Sequence, residues 1–154
     1  MIIQYTRIRE TARPPVRANP SDAGLDLFYN PPNRSAVVKI QPGESKLFQT
    51  GYKFGVPHGY MLEIKNRSSV AAKQQLIVGA CVVDSGYAGE VFVNLQNIGT
   101  DEVLVSPGDK IAQAVLLPVI PFRPQEVSEE NLYSSPITIS NRGDGALGST
   151  DRRE

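Results

Sequence analysis

Gly79-Ala80-Cys81-Val82-Val83-Asp84-Ser85-Gly86-Tyr87-Ala88-Gly89 is the stretch around which the rest of the chain is organised. An apolar run over 76–83 leads into Asp84, a Ser-Gly pair follows, and Tyr87 stands three residues beyond the carboxylate. Glu90-Val91-Phe92-Val93-Asn94-Leu95-Gln96 then alternates polar and apolar side chains, the period of a half-buried strand. Two strands about a turn predict a β-hairpin that carries one acid and one aromatic ring at fixed offsets. Local chemistry alone would also account for an architectural hairpin, because Asp and Gly favour turns for their own conformational reasons.

Working outward, the 154 residues fit a single domain spanning 1–154. A chain of this size buries enough surface to need no staples. Thirteen glycines and twelve prolines punctuate it, and no segment keeps an amphipathic helical period over several turns. The pattern predicts an all-β sandwich or barrel. Its expected strands are residues 1–8, a strand entered over 21–28, 36–40, 46–49 paired with 52–56 across Gly51, 60–65, the hairpin, 103–105 and 110–119. Residues 66–73 read as one or two helical turns capped by serine. Residues 126–132 read as a short helix or an irregular loop.

Sixteen basic and sixteen acidic residues cancel, so the chain as a whole is no polyanion binder and no direct nucleic-acid binding is expected. One cysteine, Cys81, excludes an internal disulfide and a cysteine-based zinc cluster; its apolar surroundings predict a core thiol in a strand. The single histidine, His58, lies in Val56-Pro57-His58-Gly59, a turn by composition, and so removes histidine-dependent triads and multi-histidine metal sites. Neither a signal peptide nor an apolar stretch long enough to span a bilayer is evident, so a soluble, intracellular (cytoplasmic) protein without membrane association is expected. The chemistry falls to carboxylates, hydroxyls, basic side chains and a hard cation.

Four further stretches carry such groups. Asp26 is flanked by Leu25 and Leu27, which places it on the other face of its strand. Arg67-Ser68-Ser69 opens the helical segment, where free N–H groups favour either an ordinary cap or an anion. Gln113 is an uncharged amide in an apolar strand and must find a partner or an edge. Residues 140–150 combine glycines, Arg142 and hydroxyls, and make a flexible tail whose backbone can approach a ligand closely.

Taken in order, these stretches resemble the homotrimeric dUTP pyrophosphatases (dUTPases) over nearly the whole chain. Ala23-Gly24-Leu25-Asp26-Leu27 is similar to the family's first motif, Arg67-Ser68-Ser69 to the second and residues 82–89 to the third. Gly108-Asp109-Lys110-Ile111-Ala112-Gln113 is similar to the fourth, and Arg142-Gly143-Asp144-Gly145-Ala146-Leu147-Gly148-Ser149-Thr150 to the glycine-rich fifth. The resemblance implies a jelly-roll-like, distorted β-barrel fold, a homotrimer with flexible C-terminal arms, and active sites at the subunit junctions. It implies hydrolysis of dUTP to dUMP and pyrophosphate with Mg2+, which limits uracil in DNA and supplies dUMP for thymidylate synthesis.

By the same resemblance Asp84 positions and deprotonates the attacking water, and Tyr87 lies against the deoxyribose where no 2′-hydroxyl fits. The main chain of Val78, Gly79, Val82 and Val83 reads the uracil edge. Arg67, Ser68, Ser69 and Gln113 hold phosphates, and Arg142 from a neighbouring subunit's tail clamps the terminal one. Leu147, Gly148 and Ser149 close over the nucleotide, and Asp26 serves the metal through water.

Several positions depart from the family pattern. Ser69 stands where Gly is usual, Asn66 where Pro is common, Cys81 where Gly is frequent, and Ala146-Leu147 where Gly-Phe is usual. Leucine offers the base an apolar contact without a π-face, which predicts weaker binding of dUTP than in relatives with Phe. Arg-Ser-Ser also resembles the dCTP deaminases, which share the fold, but those carry a glutamate where this chain has Asn94. A regulatory protein using the same fold and a nucleotide-gated tail is a further alternative; retention of Asp84, Gln113 and Arg142 favours an enzyme.

Overall fold

A computed structural model describes residues 1–132. The described residues belong to two compact units, one of residues Met1–Pro121 and one that begins at Phe122. All the strands lie in the first. They are β1 (Gln4–Arg7), β2 (Leu25–Phe28), β3 (Val38–Ile40), β4 (Ser45–Gln49), β5 (Tyr52–Gly55) and β6 (Tyr60–Lys65), then β7 (Leu76–Val78), β8 (Val82–Val83), β9 (Phe92–Asn97), β10 (Val103–Val105) and β11 (Lys110–Pro118). One helix, α1 (Ser68–Gln74), interrupts them; the described residues of the second unit contain a single helical turn, α2 (Glu129–Leu132).

The strands pair antiparallel in the orders β1-β5, β10-β3, β2-β11-β6-β8 and β4-β9-β7. Most neighbours are far apart in sequence, as in a jelly-roll-like fold. Alternation along the strands builds the core. In β9, Val93, Leu95 and Asn97 point inward while Phe92, Asn94 and Gln96 do not; in β5, Tyr52 and Phe54 are buried and Lys53 and Gly55 exposed. Leu27, Ile40, Phe48, Val93 and Ala112 are completely excluded from solvent. Tyr29 meets Phe48 edge to face at 5.0 Å, a favoured aromatic geometry.

Buried polar groups are paired, as they must be. The amide of Asn97 donates to the carbonyls of Ile40 and Asp101 and accepts from Gly99 N–H. Thr50 Oγ1 donates to the Val91 carbonyl at 2.6 Å.

Two expected pairings are corrected. Residues 46–49 and 52–56 do not pair across Gly51: β4 joins β9, whereas β5 joins β1. Gly51 adopts φ +76°, a left-handed turn that sends the chain from one sheet to another. The central hairpin is likewise divided. β7 pairs with β9, but the chain leaves that sheet at Gly79 and β8 pairs instead with Leu62 and Glu63 of β6. Alternation identifies strands but cannot choose between two sheets that offer equally good partners.

Candidate active site

β8 delivers Asp84 to a tight turn. Tyr87 N–H donates to the Asp84 carbonyl at 3.2 Å, and Gly86 occupies the third position with φ +87°, the arrangement of a type II turn. The Asp84 side chain is exposed and has no ion pair or hydrogen bond among the described residues. It lines a small cavity of about 210 Å³ whose other walls include Ala80, Cys81, Val82, Val83, Tyr87 and Asn94. Tyr87 is fixed by a hydrogen bond from its hydroxyl to the Glu90 carbonyl at 2.9 Å. Its ring lies so close to Gly89 that a Cβ there would collide with it. An open groove of about 810 Å³ on β1 and β5 shares Tyr87 but is lined by no carboxylate.

The segment between β7 and β8 has its donors largely committed. Val78 N–H donates to Asn66 Oδ1 at 2.6 Å, Gly79 N–H to the Asn94 carbonyl at 3.0 Å and Ala80 N–H to Asn94 Oδ1 at 3.3 Å. The Cys81 carbonyl accepts from Ile64 N–H at 2.7 Å. Cys81 N–H and the carbonyls of Gly79 and Ala80 have no partner among the described residues. Val82 and Val83 are engaged as strand β8. Cys81 itself corrects an expectation: it sits between strands, half-buried and against the cavity, rather than as a core thiol within one. His58 is exposed in a turn, as its neighbours predicted.

A second cluster forms where β2, β11 and the start of α1 meet. Asp26 and Gln113 are cross-strand partners, and Gln113 also faces Lys65 of β6. Arg67 Nε reaches Asp26 Oδ1 at 2.8 Å and Lys110 Nζ reaches Oδ2 at 2.7 Å. Burial alone would push the Asp26 carboxyl up, but the hydrogen bonds and positive charges of Lys110 and Arg67 outweigh it and hold it below its ordinary value. Gln113 finds its partner inside the sheet: Nε2 donates to the Asn66 carbonyl at 2.8 Å. Gly24 leaves it that room, because a Cβ there would lie 2.5 Å from Gln113 Oε1.

The helix start also differs from expectation. Arg67, not a serine, occupies the N-cap of α1, and no side chain caps it. Ser68 and Ser69 are therefore exposed in the first turn, with Ser69 Oγ 3.4 Å from Arg67 Nη1.

The described residues thus bring Asp84, Tyr87, Val82, Val83 and the 78–81 segment to one cavity and its edge, and Arg67, Asp26, Lys110 and Gln113 to a cationic cluster. Arg142, Leu147, Gly148 and Ser149 lie outside the described residues. Sequence reasoning missed three supports. Asn66 and Asn94 hold the segment described above. Arg9 clasps Glu90 with both guanidinium nitrogens while Glu90 also accepts from Gly51 N–H at 2.8 Å, which anchors the far side of the Tyr87 turn. Asn66 was visible as a departure from the motif; the Arg9–Glu90 pair spans 81 positions and left no local signal.

Comparison with known proteins gives one consistent result. The dUTPase family model matches residues 10–150. The deoxyuridine 5'-triphosphate nucleotidohydrolase of Gloeobacter violaceus is 39% identical over 138 residues, covering 88% of this chain and 87% of its own length. The protein of the same name from Anaplasma marginale is 36% identical over 142 residues, covering 88% and 87%. Among solved structures, a mutant dUTPase from phage phi11 of S. aureus that coordinates a structural Mg(II) ion is similar with a TM-score of 0.74 at 24% identity, over 84% of this chain and 98% of that one.

Proposed function

The chain belongs to the dUTPase family, and on that premise we propose how it hydrolyses dUTP to dUMP and pyrophosphate. The observation that carries the reading is the solvent-facing, unpartnered Asp84 carboxylate at the edge of the 210 Å³ cavity. A base must be within reach of water and free of competing cations, and Asp84 meets both conditions, whereas both Asp26 oxygens are held by cations. Asp84 takes the proton of a water whose oxygen bonds to the α-phosphorus; the bond from that phosphorus to the bridging oxygen breaks, and pyrophosphate leaves.

The base is read by main chain. Uracil presents an N3–H donor between two carbonyl acceptors, and the free groups on the segment are the Cys81 N–H donor and the Gly79 and Ala80 carbonyl acceptors. Cytosine reverses the pattern at N3 and N4 and leaves those groups unpaired, the costly outcome. Side-chain walls from Val82 and Val83 line the same cavity, which leaves little room for a 5-methyl group. Tyr87, locked against Gly89 and Glu90, stands where a 2′-hydroxyl would clash.

The triphosphate falls to Arg67, Ser68, Ser69 and Gln113, and to Arg142, Leu147, Gly148 and Ser149 of the tail. Magnesium fits on one condition. The described residues contain no cluster of three or more acidic, Cys or His ligands, and both Asp26 oxygens already serve cations. Magnesium retains water and binds substrate phosphates with few carboxylates, so Asp26 suits a contact through water. When bound, the ion neutralises charge on the phosphates. We place three copies around three such sites, as the resemblance to the homotrimeric family implies, with Arg142 supplied from a neighbouring subunit's tail. No described helix is long and apolar enough to cross a membrane.

Deamination of dCTP is not favoured, since position 94 holds an amide committed to three hydrogen bonds rather than an acid. The test is pyrophosphate release from dUTP, dTTP, dCTP and UTP with magnesium. Only dUTP is expected to turn over efficiently; equal rates for dUTP and UTP would defeat the reading of Tyr87.

A further inference from the structure

Two asparagine side chains that take no part in the reaction hold the base-reading segment at neighbouring points. Asn66, at the end of β6, accepts from Val78 N–H through Oδ1 at 2.6 Å, and its carbonyl takes the Gln113 amide at 2.8 Å. Asn94, on β9, accepts from Ala80 N–H through Oδ1 at 3.3 Å. Its amide cannot turn over without loss, because Nδ2 donates to Ser45 Oγ at 2.7 Å and to the Lys46 carbonyl at 3.3 Å. Gly79 N–H is held between them by the Asn94 carbonyl, and its missing Cβ is what lets the backbone lie directly on the Asn94 and Gln96 amides. The donors of three consecutive residues, 78 to 80, are thereby withdrawn, and Cys81 N–H is the next one along the segment that remains free.

We propose that Asn66 and Asn94 are positioning residues that set the pyrimidine selectivity of the site by withholding Val78 N–H and Ala80 N–H from the base. The proposal rests on the dUTP reading above. Its logic is the chemistry of N3. In uracil that atom is a donor and seeks a carbonyl; in cytosine it is an acceptor and seeks an N–H. A segment with loose donors at 78 and 80 can offer cytosine the N–H it needs. A segment with both donors bound cannot, except by breaking a bond it already has. Asn66 adds a second consequence: through Gln113 it couples the registration of the base segment to an amide of the phosphate cluster.

The experiment compares the wild-type chain with Asn66→Ala, Asn94→Ala and the double variant. Steady-state kinetics are measured on dUTP and dCTP, with amide hydrogen exchange at Val78 and Ala80 in the unliganded proteins. Each lost hydrogen bond should raise KM for dUTP and lower the dUTP-to-dCTP ratio of kcat/KM by roughly two- to tenfold. Turnover number on dUTP should hold within about threefold, because the acid and water are untouched. Exchange should quicken at Val78 in the first variant and at Ala80 in the second. A selectivity ratio within twofold of wild type, or unaltered exchange at both amides, overturns the proposal even if the melting temperature falls. Asn66 is exposed, so its variant decides the matter should Asn94→Ala fail to fold. A wild-type chain that leaves dUTP intact would instead defeat the underlying reading of the site.

Discussion

Asp84 and Asp26 are the same side chain put to opposite uses by their surroundings. Asp26 is 15% exposed and held between Arg67 and Lys110, so its proton affinity is depressed and its lone pairs are engaged. Asp84 faces solvent with no charge partner among the described residues. Replacing Asp84 with Asn should cut turnover of dUTP by roughly 10²–10⁴-fold while leaving nucleotide affinity nearly intact, as read by single-turnover kinetics and by calorimetry with a non-hydrolysable analogue. Asp26→Asn should act mainly on stability, by about 1–3 kcal/mol, because it leaves two cations facing each other. The pH dependence has a definite sign. A carboxyl whose folded pKa is lowered contributes stability above its unfolded value of about 4 and loses it as pH falls through the lower folded value. The gap in melting temperature between wild type and Asp26→Asn should therefore be constant from about pH 7 to 5 and close below about pH 4. A gap as wide at pH 3 as at pH 7 would show that the pair with Arg67 and Lys110 is not its source.

At the scale of elements, the strands were legible because alternation and Gly-Pro punctuation are local properties. β6, β9 and β11 fall where the sequence placed them. Which strand joins which sheet was not legible, and the division of the central hairpin shows why. Residues 76–83 are apolar without interruption, so no change of pattern marks the point at Gly79 where the chain leaves β9 for β6. The signal was instead the glycine, whose value lies in what it lets approach: the side-chain amides of Asn94 and Gln96. Gly79→Ala should force Asn94 off Ala80 N–H and cost about 1–3 kcal/mol by overpacking. A raised KM for dUTP reads the first effect and thermal unfolding the second. A variant with unchanged KM would mean that the segment tolerates being moved. Gln113 could be picked out from its place, as an amide in an apolar strand, whereas Asp84, Tyr87 and Arg67 could be picked out only through the resemblance of their stretches to the family's motifs, since on local chemistry each is ordinary where it stands. Asn66 and Asn94 stood out as departures from related motifs, but their roles could not be read, nor could the Arg9–Glu90 pair be seen, since they act on partners 12, 14 and 81 positions away.

At the scale of the whole molecule, the question is whether one chain can complete a site. On the reading proposed above, the described part supplies a base, a base-reading edge and a cluster of cations, yet formal net charge is zero, so a triphosphate must be held by local charge alone. Arg67 is already partly spent on Asp26, which leaves the terminal phosphate in want of a further arginine. Arg142 is the candidate, and closed symmetric assembly gives it two possible routes: back onto its own subunit or across to a neighbour. Mixing two inactive variants separates them. Asp84→Asn and Arg142→Ala should each be nearly silent as pure trimers. If the arm crosses, unfolding and refolding the two together at equal amounts creates junctions with an intact Asp84 from one chain and an intact Arg142 from the next. For random assembly these are about a quarter of all sites, so about a quarter of wild-type activity should return. If each arm serves its own chain, every site still lacks one partner and no activity returns. The recovered fraction, measured by pyrophosphate release after size-exclusion chromatography, distinguishes a shared site from a private one.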